Sequence, residues 1–484
     1  MNPQQKLSKK LWDSDLLDFQ PREPWLAILG LAFFVGLSLV AGGAIAIVTF
    51  PLGSLLVGWL LYSRYPLLYC GFTWWLWFAG SLVRRIIDYR CGYLTPGPWT
   101  LTATLVTSIS VLSLIKYLPI AHKQNGVPFV IASSCCLYGW IISLVNDGFV
   151  DRGIFILFEW LAPIAFAFHI LLQWRDYPRY RQNMQRTFVW GALIMGSYGI
   201  IQYIVAPSWD RFWINRIDEL GTKSFGLPEP FGIRVSSMMD SPQSFAAMIT
   251  ACLLLVLSVQ QSRNLWANGI GYLSFLLSLA RSAWLGWFVS MFIFFQALKL
   301  QLKIRLLVSI FLGILMIFPV TRIEPFSTVI SERIESFTNT ETDTSYKARL
   351  GGYSQLIDLA ATEFTGKGIK NPIEPDVDLK VNFVVFDNGI LTLLFSLGWV
   401  GSTPYVLSIV LLVVQIRQSS LKNKDLVLSA AYALIVGSIS QIFLKTITNG
   451  SMAMILWGFI GIGMCGQNYY LYLSQIDSQN KALK

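Results

Sequence analysis

Charge is scarce in this chain. Of its 484 residues only 13% are Asp, Glu, Lys or Arg, about half the ~25% of an ordinary globular protein. A soluble, multidomain reading of the length is therefore excluded. Histidine is scarcer still: His122 and His169 are the only two, at the ends of different apolar stretches. The six cysteines, Cys70, Cys91, Cys135, Cys136, Cys252 and Cys465, include no CxxC pair. That removes zinc ribbons, haem attachment and thioredoxin-like chemistry, and neither a metal nor a cofactor is expected. Cysteines inside apolar runs read instead as small buried hydrophobes. A removable signal peptide is not expected either, because the first apolar run follows about two dozen largely polar residues and continues too long for one.

What the chain has in abundance is apolar sequence: 54% of residues are hydrophobic and the mean hydropathy is +0.55. Runs of about 20 apolar residues mark membrane spans. The run from Pro24 to Leu61 is nearly two spans long and is interrupted at Gly42-Gly43 and at Pro51, which reads as a helical hairpin. Further spans are expected near 65–83, 99–118, 127–146, 153–173, 186–206, 242–261, 265–280, 281–298, 303–320, 388–416, 425–444 and 450–472. Backbone in a bilayer must satisfy its own hydrogen bonds, so helices are the default. The expected fold is all-α, a polytopic transmembrane helical bundle of about 12–14 spans with one long, partly helical extracytoplasmic loop. It divides into N-terminal helices (1–185), central helices with arginine motifs (186–321), the loop (322–387) and C-terminal helices (388–484).

The net charge of +10 does not call for nucleic acid. Basic clusters at Lys6, Lys9 and Lys10, at Arg175, Arg179, Arg181 and Arg186, at Lys299, Lys303 and Arg305, at Arg417, Lys422 and Lys424, and at Lys481 and Lys484 are separated by even numbers of spans. They therefore share one side, which the positive-inside rule makes cytoplasmic. Between 322 and 387 seven Lys/Arg face eleven Asp/Glu, a net of −4, so the rest of the chain carries +14. One cluster objects. Arg84, Arg85 and Arg90 fall outside on this count, so either an early helix is miscounted or that loop is an exception.

The two long polar segments, 207–241 and 322–387, then face outward. Loops as long as the second usually carry function. It opens with polar Ser331 to Ser345, shows helical spacing in Leu350, Tyr353, Leu356, Ile357 and Ala360, turns at Gly366-Lys367-Gly368, and continues acidic through Pro372, Glu374, Pro375, Asp376 and Asp378. It reads either as an amphipathic lid on the bundle or as a plain solvated loop.

Three arginines lie where spans meet the outer face: Arg234 in FGIRVSSMMDSPQSFA, Arg281 in SLARSAWLGW and Arg349 in YKARLGGY. An arginine in hydrocarbon costs about 2.5–3.5 kcal/mol on insertion scales, so it pairs, snorkels or lines a wet cavity. Snorkelling explains one such residue. Three on the same side point to a shared anionic ligand, because the guanidinium fork matches phosphate oxygens. Asp387 and Asn388 open the 388–416 span; either residue type caps a helix, and a carboxylate at that depth could also accept a proton. Glu159 and His169, ten residues apart on the 153–173 span, point only roughly the same way. Packing or interface roles suit them better than a proton path.

In these segments the chain resembles the superfamily of O-antigen ligases and O-antigen polymerases, bacterial polytopic membrane glycosyltransferases that use polyprenyl-pyrophosphate-linked glycans. The resemblance covers roughly residues 186–420. It runs from Arg234 with Ser241-Pro242-Gln243-Ser244-Phe245-Ala246, through Ala280-Arg281-Ser282-Ala283-Trp284, to Arg349 and Gly366-Lys367-Gly368. It ends with Asp387-Asn388 and Gly398-Trp399-Val400-Gly401. Gln243 stands where the family pattern has asparagine and Ala280 where it has serine. Asp387 stands where ligases place a histidine base, as in polymerase-type members.

The resemblance implies a metal-independent glycosyltransferase in a bacterial inner membrane, its active site facing the periplasm. It would polymerise lipid-linked oligosaccharide repeat units into a surface or exocellular polysaccharide. Arg234, Arg281 and Asp387 are the expected catalytic residues, and Arg349, Asn388, Ser282 and Gln243 the expected substrate-binding ones. A polyprenyl-pyrophosphate-linked glycan donor, a glycan acceptor, the lipid bilayer and other polysaccharide export proteins are the expected partners. A ligase moving finished glycan to lipid A core or protein is the alternative within the class. A transporter or flippase of lipid-linked glycan is the alternative outside it, and a scaffolding membrane protein leaves the outer arginines without a reason.

Overall fold

A computed structural model describes residues 21–94, 97–147, 153–219, 224–259, 265–298, 300, 303–304, 360–369 and 388–482. Among the described residues the fold is all-α, with a single isolated β-bridge between Gly226 and Ile233. The chain is a multi-pass helical bundle. Among the described residues eight helical segments are long and apolar enough to cross a membrane, from Arg22–Val40 to Gly450–Asn480.

The helices, in chain order, are α1 Arg22–Val40, α2 Ala46–Arg64, α3 Pro66–Cys91, α4 Thr102–Ser108, α5 Val111–Tyr117, α6 Val127–Asp147, α7 Gly153–Leu172, α8 Tyr177–Val205, α9 Ser208–Glu219, α10 Pro242–Ser258, α11 Leu265–Leu277, α12 Arg281–Ala297, α13 Gly389–Asn423, α14 Leu426–Ile439 and α15 Gly450–Ala482. The expected hairpin is α1–α2, but only the glycine pair breaks it. Gly42 and Gly43 take positive φ, whereas Pro51 lies inside α2. The 99–118 stretch is not one helix: α4 and α5 meet at a break around Ile109-Ser110, flanked by 3-10 turns. Helix α9 falls in 207–241, read from sequence as a long polar segment. The 303–320 span lies outside the described residues apart from 303 and 304, which are helical.

Burial orders the layers. The most apolar windows of α7 and α15 are 72% and 89% buried, that of α1 only 17%, so α7 and α15 form the centre and α1 the rim. Lipid tails are as apolar as leucine, so close van der Waals packing rather than water exclusion holds such helices together. The centre is built for it. A side chain at Gly461 would come within 2.7 Å of the Ala167 backbone, and Trp74 packs edge-on against Phe188 at 4.9 Å between ring centroids. Five of the six cysteines are buried as small apolar residues, Cys91 being the exception.

Contacts between distant residues fix which helix ends lie together. Tyr177 and Arg181 at the start of α8 meet Asp425 between α13 and α14, and Tyr470 late in α15. The basic clusters Arg175–Arg181 and Arg417–Lys424 therefore share one end of the bundle, as their even spacing requires. At the other end Arg85, near the close of α3, meets Asp210 and Ser237. The early helices are thus counted correctly, and the Arg84–Arg90 cluster is a true exception. Its reason is local. Arg85 and Arg84 are engaged by carboxylates, Asp210 and Asp88, so neither is a free topological charge.

Candidate active site at one end of the bundle

The segment between α9 and α10 has almost no regular structure, yet it is tightly held. Residues 224–241 fold back through the Gly226–Ile233 bridge, with left-handed backbone at Phe231 and Ser237 (φ 64° and 50°). Irregular backbone near membrane depth survives only where the protein satisfies it, and here side chains do so. The Gln202 amide oxygen accepts from Ser236 N (3.0 Å) and Ser237 N (2.7 Å). Arg85 donates to the carbonyls of Ser237 and Met239, and Ser237 Oγ donates to Met195 O at 2.6 Å.

Arg234 lies in this segment, half-buried, and donates from Nη1 to Ser224 O (2.8 Å) and from Nη2 to Leu279 O (3.1 Å). Val235 N donates to Leu277 O at 3.1 Å. Both bonds dock the segment onto the tight α11–α12 turn, where Leu279 is left-handed (φ 51°). Arg281 is the first residue of α12, two positions after the carbonyl that Arg234 holds. Two arginines 47 positions apart are thus brought to one turn. Both are half-buried, as is Ser282 beside them. The N-cap of α12 is Ala280, whose side chain has no oxygen to offer the first-turn amides.

Two more helix starts arrive here. Ser241 caps α10, accepting from Ser244 N at 3.1 Å, with Pro242 at N1 and half-buried Gln243 in the first turn. Asn388 caps α13, its Oδ1 accepting from Ile390 N (3.0 Å) and Leu391 N (3.2 Å). The turn after α14 joins all three. Gly389 N donates to Ile442 O at 2.7 Å, Lys445 Nζ donates to Ser244 Oγ at 3.3 Å, and Gly286 of α12 lies against the Gln441 side chain. Three helix starts, those of α10 and α13 already capped by Ser241 and Asn388, thus share this end with Arg234, Arg281 and Lys445, cationic side chains of the kind that bind a polyanion.

The structure therefore brings together Arg234, Gln243, Arg281, Ser282 and Asn388. Arg349 and Asp387 lie outside the described residues. Asn388 is itself the α13 cap, the structural alternative weighed for the Asp387-Asn388 pair. Glu159 lies within electrostatic reach of Asp240, at this same end. His169 does not: its Nδ1 is 2.8 Å from Ser113 Oγ, amid the rings of Tyr62 and Tyr69, a packing role in the α4–α5 break. Sequence reading missed Gln202, Asp210 and Lys445. A signal existed for two of these contacts: Arg85 and Lys445 both violate the sidedness rule, and both have polar partners in the fold.

The long loop rejoins the bundle by a backbone splice. Helix α13 is kinked at Gly398 (φ 58°, ψ −172°). The freed carbonyls of Phe395 and Ser396 accept from Lys367 N (2.7 Å) and Gly368 N (3.0 Å), while Trp399 N and Val400 N donate to Glu363 O (3.3 Å) and Phe364 O (3.2 Å). The Gly366-Lys367-Gly368 turn and the Gly398–Gly401 segment, separate in sequence, are thus one contact. Ala360, at the end of the expected loop helix, packs on Leu391 and Phe395.

No protein-family model matches the chain, and no curated protein matches it.

Proposed function

We propose that this protein is an integral-membrane glycosyltransferase that polymerises polyprenyl-pyrophosphate-linked oligosaccharide repeat units, its active site facing the periplasm of a bacterial inner membrane. The observation that carries the reading is the meeting of Arg234 and Arg281 at the α11–α12 turn, beside the starts of α10 and α13. In the reaction a hydroxyl of the acceptor sugar attacks the anomeric carbon of the donor glycan. The bond from that carbon to the phosphate oxygen breaks, and the lipid pyrophosphate leaves with the electron pair. Charge grows on the pyrophosphate as the bond breaks. Arginines fixed in advance therefore stabilise the transition state more than the ground state. The proton of the attacking hydroxyl passes to a base, for which Asp387 is the proposed group, and Arg349 reaches the donor from the loop. Asn388, Ser282 and Gln243, at the helix starts, are the proposed substrate-binding residues.

The test is glycan chain length in a deletion strain complemented with variants. Loss of long chains with single repeat units still attached supports a polymerase. Long chains accumulating untransferred on the lipid carrier indicate the ligase alternative. Arg281→Ala and Asp387→Ala variants that express normally and still build long polysaccharide overturn the reading.

A transporter reading draws on two features, the break between α4 and α5 and the kink of α13 at Gly398, since discontinuous helices mark transport sites. The first is filled by its own bonds, with Ser110 Oγ donating to Thr107 O and Trp77 Nε1 to Thr107 Oγ1, and the second by the amides of Lys367 and Gly368, whereas Arg234 and Arg281 meet at the bundle end.

A further inference from the structure

We propose that Arg85 and Asp210 are positioning residues for this site: the pair sets the backbone of residues 234–239 so that Arg234 stays in register with Arg281. The proposal rests on the functional reading above.

Both side chains are essentially inaccessible, at 1% and 0% exposure. The Arg85 guanidinium divides its fork. Nη1 binds Asp210 Oδ1, and Nη2 donates to Ser237 O and, at 3.3 Å, to Met239 O. One rigid planar group thus converts the position of a carboxylate on α9 into the position of two carbonyls in an irregular segment. A lysine ammonium, a point charge on a flexible stem, cannot hold that geometry. Asp210 is fixed in turn. Tyr198 donates to its Oδ2 at 2.8 Å, and Trp209 Nε1 donates to that tyrosine oxygen at 2.7 Å. The guanidinium carbon lies 5.9 Å from the Trp213 ring centroid.

Stability alone does not account for such an arrangement. Replacing a buried ion pair by apolar residues of similar volume is often neutral or stabilising. Apolar residues cannot do what Arg85 does here, which is to hold two carbonyls in place. Ser237, which carries one of these two carbonyls, is left-handed, a strained conformation that persists only when its surroundings over-determine it. Gln202 on the amide side and Arg85 on the carbonyl side supply that over-determination, and the next contacts along the chain are those of Arg234 and Val235 with the α11–α12 turn.

The experiment uses the full chain in lipid nanodiscs, with Arg85→Lys, the double variant R85M/D210L and, as the site control, Arg281→Ala. Hydrogen–deuterium exchange reports the 235–241 backbone, and polymerisation of a lipid-linked repeat unit reports kcat and donor KM separately. In R85M/D210L we expect the segment to exchange at least about tenfold faster. We also expect kcat to fall about tenfold or more with donor KM little changed, the signature of lost transition-state alignment. Wild-type exchange and kcat in that variant, or a change in KM alone, overturn the proposal. Should the double variant not fold, Arg85→Lys decides, since it keeps the charge and loses the fork: the same loss of kcat supports positioning and a wild-type kcat overturns it. Should Arg281→Ala remain active, the functional reading falls by itself. The exchange rate then decides alone, faster exchange supporting the backbone role and unchanged exchange ending it.

Discussion

The two ends of the bundle use the same chemical parts for different purposes. At one end Asp425, 6% exposed, accepts from Tyr177 (3.0 Å), Arg181 (2.9 Å) and Tyr470 (2.8 Å), and its other oxygen caps α14 through Val427 N (2.8 Å). At the other, Asp210 accepts from Arg85 and Tyr198. Each carboxylate has an arginine and at least one tyrosine, so composition does not separate them. What the arginine does next separates them. Arg181 stops at its carboxylate and locks regular helices α8, α14 and α15 into one junction. Arg85 continues to two carbonyls of a segment with no regular structure. Buried charge therefore serves rigidity at one end and the placement of a non-helical segment at the other, and Arg234 and Arg281 lie where the segment is.

The largest expected effect breaks the proposed site without touching the opposite end. Removing one preorganised donor to a developing anionic charge lowers kcat by about 10²–10³. Arg281→Ala should show a loss of that order, with unfolding in detergent close to wild type, because Arg281 begins a helix rather than filling the core. Arg234→Ala should lose activity and some stability as well, since it also ties Ser224 to Leu279. Kinetics and melting curves on the same samples check both; a fully active Arg281→Ala would leave this end of the bundle without its proposed ligand.

The opposite end should respond the other way round. Asp425→Ala leaves Arg181 without its partner and uncaps α14. Breaking a buried pair costs about 3–5 kcal/mol, and the lower figure applies because the Arg181 side chain is 24% exposed. Denaturation in detergent should show that loss, with activity per folded molecule preserved. A selective fall in kcat at unchanged stability would mean that the two ends are coupled, and that the division drawn between them is wrong.

That division is half legible in the sequence. Apolar runs locate helices because hydrocarbon demands them, and even spacing of basic clusters fixes shared ends because crossings must alternate. The arginine motifs carried Arg234 and Arg281 to the same side. Their meeting at one turn was beyond sequence, since it depends on a bond from Arg234 to Leu279 across 45 positions. Arg85 and Asp210 are 125 positions apart, too far for any local pattern to couple them. The pair did leave a trace as an unexplained violation of the positive-inside rule. Hydropathy reports composition and not continuity, so the α4–α5 break was invisible, and α9 is too short and too polar to register as a span.

An intermediate effect is expected at the splice. Gly398 has φ 58° and ψ −172°, a region open essentially to glycine alone, and a side chain there would come within 2.3 Å of Phe364 O and 2.4 Å of Gly366 N. Gly398→Ala should lose about 1–3 kcal/mol from strained backbone, with the clash adding to it. The sharper expectation is local: exchange of the Lys367 and Gly368 amides should accelerate, since both bond into the kink, while the Asp425 junction stays protected. Uniform loosening of both ends would show that the kink is a global fold determinant and not a local dock for the loop.

The smallest effects should come from exposed ion pairs at the two ends. Arg216–Glu219 on α9, 49% and 61% exposed, spans 2.7 Å at the end that holds Arg85 and Asp210. Arg179–Asp176, 72% and 57% exposed, spans 4.0 Å at the other. Solvent screening and the cost of ordering two long side chains leave such pairs worth about 0–1 kcal/mol. Arg216→Ala and Arg179→Ala should each change stability by less than that and leave kcat untouched, as melting curves and initial rates would show. The comparison matters because Arg216 is only six positions from Asp210 on the same helix. If burial decides what a charge contributes, loss of Arg85 and loss of Arg216 must differ greatly although α9 carries a partner of each. A large effect from Arg216→Ala would instead make α9 as a whole the functional element, with the buried fork only one of its contacts.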